Sequence, residues 1–146
     1  MDTFIIPVDD RIASVLGKAL KLDGFFPEFK AEHVTHLFPK SRLTRYPPGV
    51  HIIEQGDSGR DLFVICLGQV AVSQVFGAAG AALGELKEGD IFGEIGLIRD
   101  GLRTATVITS VESQVFRLAF EDLTYLLTHN SALANHLKSL AQKRTS

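Results

Sequence analysis

Apolar residues recur at a helical period near the start of the chain. They face one side of a helix that Asp9 or Asp10 can cap, because a carboxylate before the first turn accepts a free backbone N–H. The apolar positions of this predicted helix are Ile12, Val15, Leu16, Ala19 and Leu20. A second helix is predicted after Pro27, since proline suits the start of a helix. Its apolar side carries Phe29, Val34, Leu37 and Phe38.

The helical period returns at the C-terminal end of the chain. Asn130 and Ser131 divide this stretch into two predicted helices. The apolar face of the first consists of Phe120, Leu123, Leu126 and Leu127, and that of the second of Leu133, Leu137, Leu140 and Ala141. Lys143 and Arg144 close the last helix, at the end where cations are favoured.

From about residue 42 to residue 119 the pattern changes to short β-like runs separated by turn-forming residues. The runs cover residues 50–54, 61–67, 70–76, 104–110 and 114–118. Residues 77–84 (GAAGAALG) are small, and we predict that they form a hairpin connection. Strands this short and this regularly spaced predict a mainly β fold, an antiparallel β-sandwich or barrel with α-helices at both ends.

The composition narrows the classes of function. Hydrophobic residues make up 45% of the 146 residues and charged residues 22%, and a domain of this size needs no disulfide or metal to fold. The formal net charge of −2 argues against strong nucleic-acid binding, which depends on basic residues. The single cysteine, Cys66, lies in an apolar run, which is typical of a buried thiol. With no signal peptide and no apolar run near the roughly 20 residues of a membrane span, we expect a cytoplasmic protein.

Residues 89–107 (GDIFGEIGLIRDGLRTATV) carry the candidate chemistry. Gly93 lets the backbone approach another group closely, and a helical turn after it would expose N–H groups that can bind an anion. Arg103 follows a turn, and its planar guanidinium can hold two phosphate oxygens. Glu94 beside such a site suits an anion only if it accepts hydrogen bonds from hydroxyl groups of the ligand. The alternative is a structural ion pair between Glu94 and Arg103, with the glycines serving turns.

These residues resemble the phosphate-binding cassette of the cyclic nucleotide-binding domain family. The cassette of that family reads Phe-Gly-Glu and an apolar pair, then Arg, a small residue and Ala; this chain has FGEIGL at 92–97 and RTATV at 103–107. Glycines elsewhere match the family as well, at Gly49, Gly56, Gly59, Gly68 and Gly89. The resemblance covers about residues 25–142 and implies the fold of that family, an eight-stranded, jelly-roll-like antiparallel β-sandwich or barrel. Leu102 stands where many members have proline, and Gly96 where many have alanine; neither change removes a ligand contact.

The resemblance implies a cyclic mononucleotide ligand, cAMP or cGMP, and no cofactor, metal or catalytic residue. It implies that Phe92, Gly93, Glu94, Ile95 and Gly96 surround the phosphate and ribose, and that Glu94 meets the ribose 2′-OH. Arg103 would bind the phosphate, with Thr104 and Ala105 beside it. Val72, Leu83 and Leu86 fall at apolar wall positions, and Leu133, Leu137 and Leu140 form a possible lid on the last helix.

Two other functions remain open at this point. The same fold without a ligand could serve as a protein docking or dimerisation domain, although Glu94 and Arg103 are both present. A metal enzyme of the cupin type is the more remote alternative, because residues 51–54 offer His51 and Glu54 but not the His-x-His pair of that family. His33 and His36 lie three residues apart on a predicted helix, and no third ligand accompanies them.

The predicted organisation is an N-terminal helical extension over residues 1–24 and a binding domain over 25–142. Within that domain we expect the β-roll at about 42–119 and the C-terminal helices at about 120–143. The sequence ends near Ser146 without a helix-turn-helix, so direct DNA recognition is not expected. The expected partners are a cyclic nucleotide and an unidentified effector protein, and the expected state is a monomer or weak homodimer.

Overall fold

The computed structural model describes residues 3–76, 79–94 and 101–145. Over these residues it has nine strands and four helices. The strands are β1 (Phe4–Ile6), β2 (Arg42–Tyr46), β3 (His51–Ile53), β4 (Leu62–Leu67), β5 (Gln69–Phe76), β6 (Ala79–Lys87), β7 (Ile91–Phe92), β8 (Thr106–Thr109) and β9 (Ser113–Leu118). The helices are α1 (Asp10–Ala19), α2 (Ala31–Leu37), α3 (Phe120–His129) and α4 (Ser131–Thr145).

The strands form two antiparallel sheets that face each other. The first sheet has the order β1-β2-β9-β4-β7 and the second the order β3-β8-β5-β6. Sequence neighbours are mostly not sheet neighbours, which is the crossed connectivity of a jelly roll. The predicted sandwich with flanking helices is confirmed; β2–β9 make up the expected eight strands, and β1 adds a ninth beside β2.

Alternation along the strands divides the apolar residues into two clusters, because successive side chains of a strand point to opposite faces. On β4, Leu62, Val64 and Cys66 face the helices, whereas Phe63 and Ile65 face the second sheet. The helix-side cluster includes residues of all four helices, and the cluster between the sheets is smaller. The buried thiol predicted for Cys66 is confirmed, and burial raises its pKa to about 12.

One polar residue caps the first helix, and another anchors the junction of the last two helices. The Asp9 carboxylate accepts a hydrogen bond of 2.8 Å from the Ile12 N–H and caps α1, as the sequence predicts. Asn130, between α3 and α4, is 2% exposed. Its Nδ2 donates to the Leu20 and Lys21 carbonyls at 3.1 and 3.0 Å, and its Oδ1 accepts from the Leu133 N–H at 3.1 Å. The interruption in the sequence pattern is therefore an anchored corner.

The hairpin connection predicted for residues 77–84 is wrong over most of its length. Residues 79–87 form β6, which pairs with β5 from Phe76↔Ala79 to Gln69↔Lys87. β6 is the edge strand of its sheet and is almost entirely exposed, so its residues do not alternate between apolar and polar. Its backbone pairing with β5 holds it in the sheet. β1, β2 and β7 were not separated as strands by the pattern either. No helix in the described part of the chain is long and apolar enough to cross a membrane.

Candidate ligand-binding site

The main chain around Arg103 is held by a glycine-containing turn. The Arg103 N–H donates to the Asp57 carbonyl at 2.8 Å, and the Gly56 N–H donates to the Arg103 carbonyl at 2.8 Å. One residue earlier, Leu102 forms a bridge with Ser58. These contacts fix the backbone of the residues that precede β8, and they therefore fix the position from which the Arg103 side chain extends.

Arg103 is 7% exposed, and neutral acceptors hold its guanidinium. Its NH1 group donates to the Gly93 carbonyl at 3.1 Å and its NH2 group to the Asp61 carbonyl at 3.0 Å, and the guanidinium carbon lies 5.7 Å from the centre of the Phe63 ring. Burial lowers the pKa of Arg103 from its ordinary value, and the Asp61 carboxylate acts in the opposite direction. In the part of the chain that the structure describes, no carboxylate is bonded directly to this guanidinium.

Two glycines allow this arrangement. A Cβ at Gly59 would lie 2.9 Å from Arg103 NH2, and a Cβ at Gly93 would lie 2.9 Å from the Asp61 carbonyl oxygen and 3.0 Å from Arg103 NH1. Gly93 also has a φ of +93°, a conformation that other residues rarely adopt. Both positions bring backbone against the guanidinium, which explains why the sequence has glycine at each.

Glu94 is 2% exposed and pairs with the C-terminal helix, not with Arg103. Its Oε1 accepts a hydrogen bond of 2.7 Å from Arg144 NH1, which also donates to the Ile91 carbonyl at 2.7 Å. Its Oε2 is buried and has no hydrogen-bond partner among residues 3–76, 79–94 and 101–145. The structure therefore does not contain the Glu94–Arg103 ion pair that the sequence left open.

A cavity of ≈ 360 Å³, hereafter the ligand cavity, brings most of the predicted site residues together. This volume is in the range of small-molecule sites. The predicted residues that line it are Phe92, Gly93, Glu94, Arg103, Thr104, Ala105, Val72, Leu83 and Leu86. Phe92 is also stacked on Phe63 with ring centres 5.0 Å apart, so it belongs to the core as well. Ile95 and Gly96 lie outside the described residues.

The contribution of α4 differs from the predicted leucine lid. Leu133 and Leu137 are buried in the helix-side cluster, and Leu140 packs against it, because this stripe covers the first sheet. Instead, Lys143 and Arg144 line the ligand cavity from the last turn of α4. The cations that the sequence explained by the helix end alone therefore also belong to the site.

Three further residues of the site carry no signal in the sequence. Gln74 on β5 lines the ligand cavity and donates through Nε2 to the Thr104 carbonyl at 2.7 Å. The Asp61 carbonyl holds Arg103, while its carboxylate Oδ1 accepts from the Phe120 N–H at 3.0 Å at the start of α3. Arg144 is the third. Each acts across 30 or more residues of sequence, so only the folded chain reveals them.

The histidines considered as metal ligands have other partners. His51 Nδ1 lies 2.8 Å from Glu54 Oε1, within hydrogen-bond distance. His33 accepts from the Lys30 N–H at 2.9 Å at the start of α2. Within residues 3–76, 79–94 and 101–145, no three His, Cys, Asp or Glu side chains are grouped as a metal site.

The sequence model of the cyclic nucleotide-binding domain matches residues 43–130, which is more than half of the chain. The chain belongs to this family. It is 30% identical over 100 residues to the cyclic AMP receptor protein of Thermus thermophilus, covering 68% of this chain and 46% of that protein. It is 29% identical over 132 residues to the cGMP-dependent protein kinase egl-4 of Caenorhabditis elegans, covering 87% of this chain and 16% of that protein.

Solved structures of the family agree with the fold. The regulatory domain of Toxoplasma gondii PKA, crystallised with cAMP, superposes with a TM-score of 0.73 at 23% identity, over 92% of this chain and 50% of that chain. This similarity shows the fold alone. The chain spans less than half the length of the two relatives named above. The family is one of ligand-binding regulatory domains.

Proposed function

We propose that the ligand cavity binds a cyclic mononucleotide, cAMP or cGMP, and that the domain acts as a sensor for it. The observation that carries this proposal is the state of Glu94 and Arg103 in one cavity. Among the described residues, a buried carboxylate oxygen of Glu94 has no hydrogen-bond donor, and the buried guanidinium of Arg103 has no directly bonded carboxylate. A ligand with a hydroxyl group next to a phosphate supplies both, and a cyclic nucleotide has this arrangement at its ribose and cyclic phosphate.

The phosphate would lie against Arg103 and the backbone at Gly93. Arg103 uses one N–H of each terminal nitrogen for the two carbonyls, which leaves other N–H groups for phosphate oxygens. The ribose 2′-OH would donate to Glu94 Oε2. Because an unpaired buried acceptor costs about 1–3 kcal/mol, satisfying it favours ligands that carry this hydroxyl.

The base would lie against Val72, Leu83 and Leu86, which line the same cavity. Thr104 lines it too, and its hydroxyl can donate and accept, so it can bond a guanine amino group in a syn nucleotide. Since a relative that is a cAMP receptor and one that is a cGMP-dependent kinase both resemble this chain, we expect both nucleotides to bind. The expected preference is smaller than about tenfold, or 1.4 kcal/mol.

The signal would leave the cavity through α4. Arg144 donates to Glu94 and to the Ile91 carbonyl, so the last turn of α4 contacts the residue that the ribose would contact. A ligand that binds one position of α4 better than another shifts the population between them. An effector protein that recognises one position would then respond to the nucleotide.

Calorimetric titration with cAMP and with cGMP tests the proposal. Arg103→Ala should weaken binding by about 2–4 kcal/mol, as expected for loss of one partner of a buried charged contact. The matched control is Arg45→Ala, because Arg45 lies on β2, is exposed and does not line the ligand cavity. If folded wild-type protein binds neither nucleotide, the proposal is wrong and the docking-domain alternative is favoured.

A further inference from the structure

Gln74 places a carboxamide group in the ligand cavity. It lies on β5 two residues after Val72, and both side chains line the cavity because alternate residues of a strand point to the same face. Among the described residues that line the cavity, Gln74 is the one with a carboxamide side chain. Beside the apolar Val72, Leu83 and Leu86, the cavity therefore offers a group that can donate and accept hydrogen bonds side by side.

A hydrogen bond to the backbone fixes the orientation of this amide. Gln74 Nε2 donates to the Thr104 carbonyl at 2.7 Å. A carbonyl oxygen only accepts, so the end of the amide that contacts Thr104 is the NH2 group, and turning the amide over would break the bond. Within the described part of the chain, the Gln74 side chain makes this one hydrogen bond, which leaves Oε1 and the second N–H of Nε2 for a ligand.

The position of Gln74 relative to Arg103 decides which part of a nucleotide it can contact. Thr104, whose carbonyl it bonds, directly follows Arg103, the residue proposed for the phosphate, so Gln74 lies beside the phosphate end of the cavity. In the anti form of a cyclic nucleotide, the edge of the purine that carries N7 lies on the phosphate side of the sugar, and this edge would face Gln74. The carboxylate of Glu85, on the neighbouring strand β6, accepts from Gln69 and cannot donate to a ring nitrogen.

We propose that Gln74 recognises the N6–N7 edge of adenine in a bound cyclic nucleotide, an inference that rests on the proposed function. Oε1 would accept from the N6 amino group and the free N–H of Nε2 would donate to N7, which is the bidentate pairing that glutamine makes with adenine. Guanine has two acceptors at this edge, O6 and N7, so the Oε1 of an amide in this fixed orientation would face O6 with no hydrogen between them. Gln74 therefore favours cAMP and the Thr104 hydroxyl favours cGMP, and these opposed contacts account for the small preference that we expect.

Calorimetric titration with cAMP, cGMP and 7-deaza-cAMP, which has a C–H group in place of N7, tests this contact. The wild type should bind 7-deaza-cAMP about threefold to tenfold more weakly than cAMP, as expected for the loss of one neutral hydrogen bond. Gln74→Met keeps the length of the side chain and removes both hydrogen-bonding groups of the amide. In this variant the affinities for cAMP and 7-deaza-cAMP should differ by less than about twofold, and the ratio of cAMP to cGMP affinity should fall about threefold to tenfold.

Gln114→Met is the matched control, because Gln114 lies on β9 in the other sheet and does not line the ligand cavity; it should leave both ratios unchanged. An equal loss for all three nucleotides in Gln74→Met would mean that Gln74 only supports the Thr104 backbone, and it would overturn the proposal. Equal affinities of the wild type for cAMP and 7-deaza-cAMP would overturn it without any substitution. If the wild type binds none of the three nucleotides, the proposed function is wrong and the role of Gln74 falls with it, whereas binding without these ratios refutes the role of Gln74 alone.

Discussion

Arg144→Ala removes the guanidinium that donates to Glu94 Oε1 at 2.7 Å. Glu94 is 2% exposed, and its Oε2 has no partner among the described residues, so the substitution removes the hydrogen bond that the described part of the chain gives this buried carboxylate. Removing one partner of a buried ion pair costs about 3–5 kcal/mol. The Arg144 side chain is 28% exposed, so water screens the pair in part, and we expect a loss of about 2–3 kcal/mol in the free energy of unfolding.

The assay is urea unfolding of the wild type, Arg144→Ala, Glu94→Gln and the double variant. Glu94→Gln removes the buried charge, so the double variant should recover much of the loss, with a coupling energy of about 1.5–2.5 kcal/mol. The exposed pair of Arg11 and Glu88, 2.8 Å apart, is the matched control, and its coupling should be about 0.2–1 kcal/mol. If the two pairs give the same small coupling, burial does not strengthen the Glu94–Arg144 contact and the reasoning is refuted.

The remaining predictions concern the ligand cavity. Gly59→Ala should lower the free energy of nucleotide binding more than the free energy of unfolding, because its Cβ would displace the Arg103 guanidinium. The control is Gly24→Ala, where a Cβ meets open space. In calorimetry, 2′-deoxy-cAMP should bind much worse than cAMP to the wild type but not to Glu94→Gln, and additive losses would contradict the ribose contact. Thr104→Ala should weaken cGMP alone by about 0.5–1.5 kcal/mol, whereas equal losses for both nucleotides would exclude base recognition. Hydrogen exchange across α3 and α4 should slow on nucleotide addition, and unchanged protection would argue against a signal through α4.

Periodicity predicts the elements that bury an apolar face and misses those that do not. The stripe of α1 and the continuous run of β4 both pack into the core, so their residue patterns carry the fold. β6 consists mainly of small, exposed residues and is held by its pairing with β5. Its residues show no apolar alternation, so the sequence pattern does not distinguish this strand from a loop. β7 is two residues long, too short for any period to be recognised.

The sequence likewise identifies only part of the site, the residues that lie close together along the chain. Gly93, Glu94 and Arg103 lie within eleven residues of one another, so a local motif can identify them. The partners that decide what Glu94 and Arg103 do are the distant Arg144 and Asp61. The sequence left a Glu94–Arg103 ion pair as an alternative because it could not show that each residue has a different partner.

Asn130 anchors the start of α4, so a tilt of this helix would pivot about that residue. From that corner to Arg144 the helix is about 20 Å long, at about 1.5 Å per residue. A tilt of only about 5° about Asn130 would therefore move the Arg144 end by about 2 Å, given that helical rise. This displacement is enough to break its 2.7 Å hydrogen bonds to Glu94 and the Ile91 carbonyl, while the buried leucines near the corner hardly move. A change in the cavity that releases Arg144 would therefore free the end of α4 that lies in the cavity, while Asn130 keeps the start of the helix in place.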